Sequence, residues 1–210
     1  MSYVKCCGFQ RVEDVAVAVC YGADAVGFVH YEKSRRFVDV EAIARLCATV
    51  PEGVAKVAVV VNPTLSVVED LLGAGVSGVQ LHGEESPELV REIRACFPSL
   101  GLSKALAAKA DMLSQVARFE RYVDYFLIDT PTPDYGGSGR SFDWRCLQDL
   151  AGASVRYLIA GGLDVAKIAF LQTQALGQWG YDVSSALERD GVKDKMKIKA
   201  LLESVRSMEV

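Results

Sequence analysis

Eight short apolar runs, each followed by an amphipathic helical stretch, predict an α/β chain folded as a single (β/α)8 TIM barrel over residues 1–210. Strands that alternate with helices pair in parallel, through right-handed crossovers. The runs show little polar alternation, as expected of strands covered on both faces. Eight units in 210 residues sit at the short end for this fold. A doubly wound open sheet is the alternative. It needs no eighth strand and often carries G-x-G-x-x-G after its first, a pattern missing here.

The units follow one another without a break. YVKCCG opens the first strand, and residues 13–23 form its helix. AVGFVHY, KVAVVVN, GVQLHG and LSKALA are the next four strands, with helical stretches at 40–50, 66–75, 86–97 and 111–122. YFLIDT is the sixth strand. The Gly- and Pro-rich stretch 131–141 then leads into FDWRCLQDLAG. Lying between a strand and a helix, it reads as a functional loop, lid or plain connector, and not as a domain linker. RYLIAGGL and YDVSSALE are the last strands, with helices at 165–175 and 195–206. GADAVGFVHYEKS and GVSGVQLHGEES, two units apart, echo each other weakly and add support for a barrel.

Composition excludes several classes. A net charge of −4 argues against general nucleic-acid binding, though not against a local site for a small anion. No run of about eighteen apolar residues is present, so no membrane span is expected. The start, MSYVKCCGFQRVEDV, has no apolar core behind basic residues, so no signal peptide is expected. Six scattered cysteines, without C-x-x-C and with only His30 and His82 as histidines, fit no zinc site. Reduced thiols in the cytoplasm are the expectation.

A barrel of this kind places its chemistry at the C-terminal strand ends. Polar residues there are Lys5, Cys7, His30, Asn62, His82, Lys104, Asp129, Asp182, Ser184 and Ser185. Cys6 and Cys7 are neighbours, so on a strand they face opposite ways, and Cys7 shares its face with Lys5. A thiol is a competent base when its pKa falls below about 8.5, and a nearby cation such as Lys5 helps. Asp129 ends strand six behind YFLI, an apolar setting that would raise its pKa and make it an acid. The plainer alternatives are a packed cysteine and a salt-bridged or capping aspartate.

Two further stretches suit anions. AGGL and DVSS follow strands seven and eight, where glycines admit close backbone N–H approach to phosphate and helix starts favour negative charge. A tight turn and a serine cap are the plainer reading. EKSRRF brings Lys33, Arg35 and Arg36 together after strand two. It suits a carboxylate or is simply a solvated loop.

Taken together, these motifs resemble the phosphoribosylanthranilate isomerase family of tryptophan biosynthesis. Lys5-Cys6-Cys7-Gly8 resembles its K-(I/V)-C-G opening, and GADAVGF its G-A-D-A-x-G-F stretch. Lys33 to Arg36 resembles K-S-P-R. VQLHG, AGGL, DVSS and GVKD match outright, and Gly136 to Trp144 resembles its glycine-rich loop. The resemblance runs nearly end to end. It implies an Amadori rearrangement of N-(5-phosphoribosyl)anthranilate to the 1-deoxyribulose product, with no cofactor and no metal. It implies Cys7 as general base, Asp129 as general acid and Arg36 on the anthranilate carboxylate. It places Gly161, Gly162, Asp182 and Ser184 in the family's phosphate-binding segments. Lys5, His82 and Ser185 complete the expected substrate-binding set. The expected partner is this small molecule alone, with no nucleic acid and no membrane, in a monomer or homodimer.

Arg35 stands where the family usually has proline, Ala186 where it usually has glycine, and His30 where an aromatic or aliphatic residue is frequent. None of these removes a catalytic group. An isomerase of the histidine pathway would be expected to end its first strand in aspartate, and here that strand ends in cysteine. An indole-glycerol-phosphate synthase would call for a lysine and glutamate pair that the strand ends do not offer convincingly. A binding-only barrel is the remaining rival, against which the intact Cys7 and Asp129 count.

Overall fold

The computed structural model describes residues 1–129, 147–148, 150 and 154–208. Eight parallel strands close into a barrel in chain order. They are β1 (Tyr3–Cys7), β2 (Ala25–Val29), β3 (Ala55–Val60), β4 (Gly78–Leu81), β5 (Gly101–Ala107), β6 (Tyr125–Asp129), β7 (Tyr157–Ile159) and β8 (Gly180–Val183). Helices α1 (Val12–Cys20), α2 (Val40–Cys47), α3 (Leu65–Gly73), α4 (Pro87–Cys96) and α5 (Met112–Phe119) follow the first five strands. Helices α6 (Val165–Gln172) and α7 (Lys195–Ser207) follow the last two. The expected loop at 131–141, most of the helix expected at 142–152, and the motif from Gly136 to Trp144 lie outside the described residues.

Side-chain parity sorts each strand. Val4 and Cys6 of β1, Val26 and Phe28 of β2, Phe126 and Ile128 of β6, and Tyr181 and Val183 of β8 join the core between sheet and helices. Their neighbours point to the barrel axis. There the filling is layered. At the N-terminal end Tyr3 stacks on Trp179 with ring centroids 4.1 Å apart, and Tyr125 meets Trp179 edge-on at 5.4 Å. These rings pack against Leu127, Leu158 and Ala160. Above them Lys5, Gln80, Ser103 and Asp182 make a buried polar layer. The top layer holds Cys7, His82 and Asp129.

Several helix starts are fixed by the side chains just ahead of them. Asp39 accepts from Ala42 N at 2.7 Å, Thr64 from Val67 N at 3.3 Å, Ser86 from Leu89 N at 3.3 Å and Asp164 from Lys167 N at 2.9 Å. Each such cap is worth about 1 kcal/mol. After β8 a short 3₁₀ turn (Ser185–Leu187) runs into an antiparallel ribbon, β9 (Glu188–Arg189) and β10 (Val192–Lys193), before α7. Eight strands were expected around the barrel, but this ribbon was not.

Candidate active site

Cys7 and Cys6 part company at the end of β1. Cys6 is fully buried in the outer core, where desolvation pushes its thiol pKa up to about 12. That fits a packing role. Cys7 turns inward beside β2, at Gly27. A methyl group on Gly27 would lie 2.6 Å from the Cys7 Sγ, so the glycine leaves the thiol its space.

Lys5 shares the Cys7 face, as the spacing predicted. Its ammonium is fully buried and reaches Asp182 Oδ1 at 2.7 Å. Burial would lower the lysine pKa, but the Asp182 charge and hydrogen bond outweigh it and hold the ammonium protonated. The expected lowering of the Cys7 pKa does not follow. Desolvation raises it, and the attraction of Lys5 and its hydrogen bond offset this only in part. The reason is competition: the Lys5 charge is already engaged by Asp182, and the Asp182 carboxylate itself disfavours a thiolate. Burial thus pushes the Cys7 thiol pKa up despite Lys5.

Across the barrel mouth, Asp129 ends β6. Of the four residues before it, Tyr125 and Leu127 share its inward face, whereas Phe126 and Ile128 turn to the helices. His82 Nε2 lies 3.5 Å from Asp129 Oδ2. The other ring nitrogen, Nδ1, is 2.9 Å from the Gln80 side-chain nitrogen. With that amide nitrogen as donor, Nδ1 accepts, and Nε2 carries the proton facing Asp129. The Gln80 Oε1 is buried with no hydrogen-bond partner among the described residues.

The loops after β7 and β8 lie side by side. Gly161 and Gly162 both take positive φ, 84° and 60°, a turn that β-carbons would strain. The turn leads through the Asp164 cap into α6. Ser184 donates its hydroxyl to the Cys7 carbonyl at 3.0 Å, and Ser185 opens the 3₁₀ turn. Asp182, expected among the phosphate-binding segments, instead points inward to Lys5. The Ala186 methyl packs against the core.

The basic loop divides. Lys33 is exposed, in keeping with a solvated loop, but Arg36 is only 8% exposed. Its Nε and Nη2 donate to Glu188 at 2.6 and 2.9 Å. Lys193 reaches the same carboxylate at 2.8 Å. The attraction of Glu188 had not been anticipated, and neither had the contact of Gln80 with His82. The available signals were VQLHG, GVKD and the glutamate three residues beyond the serines. A cavity of about 320 Å³ lies between the loops after β2 and β3, lined in part by His30, Phe37, Asn62 and Val67. Lys104 faces away from the barrel axis, on the same side as Leu102 and Leu106, and pairs with Glu85 at 2.9 Å. Among the described residues no group of three or more His, Cys, Asp or Glu is placed to hold a metal, and no helix is long and apolar enough to cross a membrane.

Comparison with known proteins bears on this geometry. The model of the family described as N-(5'-phosphoribosyl)anthranilate (PRA) isomerase matches residues 4–204. The N-(5'-phosphoribosyl)anthranilate isomerase of Staphylococcus haemolyticus is 38% identical over 205 residues, covering 97% of this chain and 98% of that protein. The crystal structure of phosphoribosyl anthranilate isomerase from Thermotoga maritima superposes with a TM-score of 0.88 at 32% identity, over 99% of this chain and all of that one. A further phosphoribosyl anthranilate isomerase, solved with reduced 1-(o-carboxyphenylamino)-1-deoxyribulose 5-phosphate, matches with a TM-score of 0.84 at 29% identity over 99% of this chain and all of that one. With relatives this similar along nearly its whole length, the chain belongs to the N-(5'-phosphoribosyl)anthranilate isomerase family and has that isomerase activity, a step of tryptophan biosynthesis.

Proposed function

We propose that Cys7 and Asp129 are the base and acid of an Amadori rearrangement, working from opposite sides of the barrel mouth. The observation that carries the reading is their inward orientation at the top of β1 and β6, with Cys6 turned to the core. Protonated Asp129 gives its proton to the furanose ring oxygen as the nitrogen lone pair opens the ring to an iminium. The Cys7 thiolate takes the C2 proton, and the C–H electrons make the enolamine. Cys7 then returns a proton to C1, while the C2 hydroxyl proton goes back to Asp129, leaving the ketone. Both groups end as they began, so the chemistry asks for no cofactor or metal.

The reacting form of the enzyme carries the Cys7 thiolate, its thiol proton released to solvent before the cycle begins. The raised Cys7 pKa makes that thiolate a stronger base, and the positive iminium formed on ring opening favours it. Lys5, held by Asp182, adds a fixed charge from below. His82 steadies the Asp129 carboxylate once the proton has left. The turn at Gly161 and Gly162, with Ser184 and Ser185, is the proposed phosphate cradle. Arg36 is the proposed holder of the anthranilate carboxylate. Binding at these two remote ends fixes the sugar between acid and base.

Residues 1–210 act as one catalytic unit in this reading. The free thiols among the described residues support a reducing compartment, the cytoplasm. A relative from Thermotoga maritima is described as dimeric. Monomer and homodimer both suit this chain, and sedimentation separates them. The first test of the chemistry is loss of phosphoribosylanthranilate fluorescence on adding the protein, with Asp129→Asn alongside. Rapid loss with the natural protein and none with the folded variant supports the acid. Equal rates remove Asp129 from the role.

A further inference from the structure

One carboxylate gathers three cations beside the barrel mouth. Glu188 accepts from Arg36 Nε at 2.6 Å, Arg36 Nη2 at 2.9 Å, Arg35 Nη2 at 2.8 Å and Lys193 Nζ at 2.8 Å. Glu188 is 7% exposed and Lys193 equally so. Burial raises the Glu188 pKa, but the hydrogen bonds from Arg36 and Lys193 outweigh it, so the group stays ionised. The Arg35 side chain is 58% exposed and keeps its water, but the buried Arg36 and Lys193 still outnumber Glu188 by one positive charge in a desolvated place. Such a surplus is costly unless an anion completes it.

The position of that missing anion follows from the guanidinium fork. Arginine has five N–H donors arranged in a plane, and carboxylates take them two at a time along one edge. Glu188 occupies the Nε–Nη2 edge. Nη1 has no hydrogen-bond partner among the described residues, which leaves the Nη1–Nη2 edge for a second carboxylate. The arginine stem is fixed as well. A methyl group on Gly8 would lie 2.5 Å from Arg36 Cδ and 3.2 Å from Ser184 Oγ, so the stem lies directly over the residue after Cys7. Lys193 also donates to the Ser184 carbonyl at 2.9 Å, tying the ribbon to the end of β8.

We propose that Glu188 is a positioning residue for Arg36: it holds one edge of the guanidinium so that the other edge meets the aromatic carboxylate of the substrate. Arg35 and Lys193 pin Glu188 from either side, and the β9–β10 ribbon exists to present it. The inference rests on the reading that Arg36 receives that carboxylate, and the test separates the two. A lysine could not serve in place of Arg36, because one ammonium cannot offer two bidentate edges.

The experiment compares two inhibitors, reduced 1-(o-carboxyphenylamino)-1-deoxyribulose 5-phosphate and the same molecule without its ring carboxylate. Arg36→Met tests the underlying reading. It should weaken the first compound about a hundredfold and the second less than about twofold, as expected for a lost charge-assisted pair. If it weakens both alike, the reading of Arg36 falls, and the inference with it. Glu188→Gln tests the inference itself. It should weaken the carboxylate compound about tenfold, spare the other, and raise KM more than it lowers kcat. Glu188→Asp keeps the charge but shortens the reach, and should show the same selectivity at smaller size even if Glu188→Gln does not fold. With Arg36 upheld, a Glu188 variant that weakens both compounds equally, or neither, overturns the positioning role.

Discussion

Two buried lysines show how strand parity separates chemistry from architecture. Lys5 and Lys104 are 0% and 3% exposed, and each meets a carboxylate, Asp182 at 2.7 Å and Glu85 at 2.9 Å. Lys5 and Asp182 both face the barrel axis, directly below Cys7. Lys104 faces the helices, where it also donates to the carbonyls of Gly83 and Ala105 and lies over the Phe119 ring. Glu85 in turn accepts from the backbone N–H groups of Asn62 and Gly83. The outer pair stitches three strand ends together. The inner pair sets the electrostatics of a thiol. Both pairs join a buried lysine to a buried carboxylate within 3 Å, yet they differ in what they do, because one lysine lies on the other side of the sheet.

The comparison is sharpened most by the group above the inner pair. Cys7→Ser should reduce turnover about a hundred- to ten-thousandfold while leaving binding of the reduced product analogue near its natural value. Near-normal turnover would take the base away from Cys7. Next in size is Lys104→Met, which leaves a buried carboxylate without its cation. It should cost about 3–5 kcal/mol in urea unfolding, with turnover per folded molecule within about twofold. A large fall in turnover without loss of stability would erase the distinction between the two pairs.

Lys5→Met probes the inner pair itself. Lys5 lowers the Cys7 pKa against desolvation, so removing it raises that pKa further. The rise of kcat/KM with pH should move to higher pH, with activity at neutral pH falling about tenfold for each unit of displacement. An unmoved profile would leave Lys5 a structural ion. The smallest effect is expected at Cys6→Ala, about 1 kcal/mol of stability and unchanged kinetics, as for a small buried side chain. Loss of chemistry in that folded variant would exchange the roles of the two cysteines.

The barrel could be read from the chain because its signals are local. Alternation of runs and parity within YVKCC each lie within a few residues of what they determine. The proposed roles of Cys7, Asp129 and the paired glycines come from the same kind of local signal, through the rule that places function at strand ends. What stayed hidden depended on distant partners. Arg36 and Glu188 are 152 positions apart, and Lys5 and Asp182 are 177 apart. Lys104 passed as a strand-end candidate because the rule ignores which way a side chain points. The Cys7 pKa was misjudged in direction because a sequence shows the nearby lysine but neither the depth of burial nor the aspartate that engages that lysine first.

The Lys5–Asp182 contact also joins the first strand to the last, since Lys5 and Asp182 are register partners across the β1–β8 closure. Contacts this far apart in the chain carry a large loop-closure cost and accumulate late as a chain condenses. The charge beneath Cys7 is thus assembled by the same event that shuts the barrel. On the proposed role of Lys5, an incompletely closed chain, however much of its sheet and helix it has gained, still lacks the Asp182 partner that fixes the charge beneath Cys7. Recovery of turnover during refolding should therefore lag the return of secondary structure and keep pace with the docking of β8.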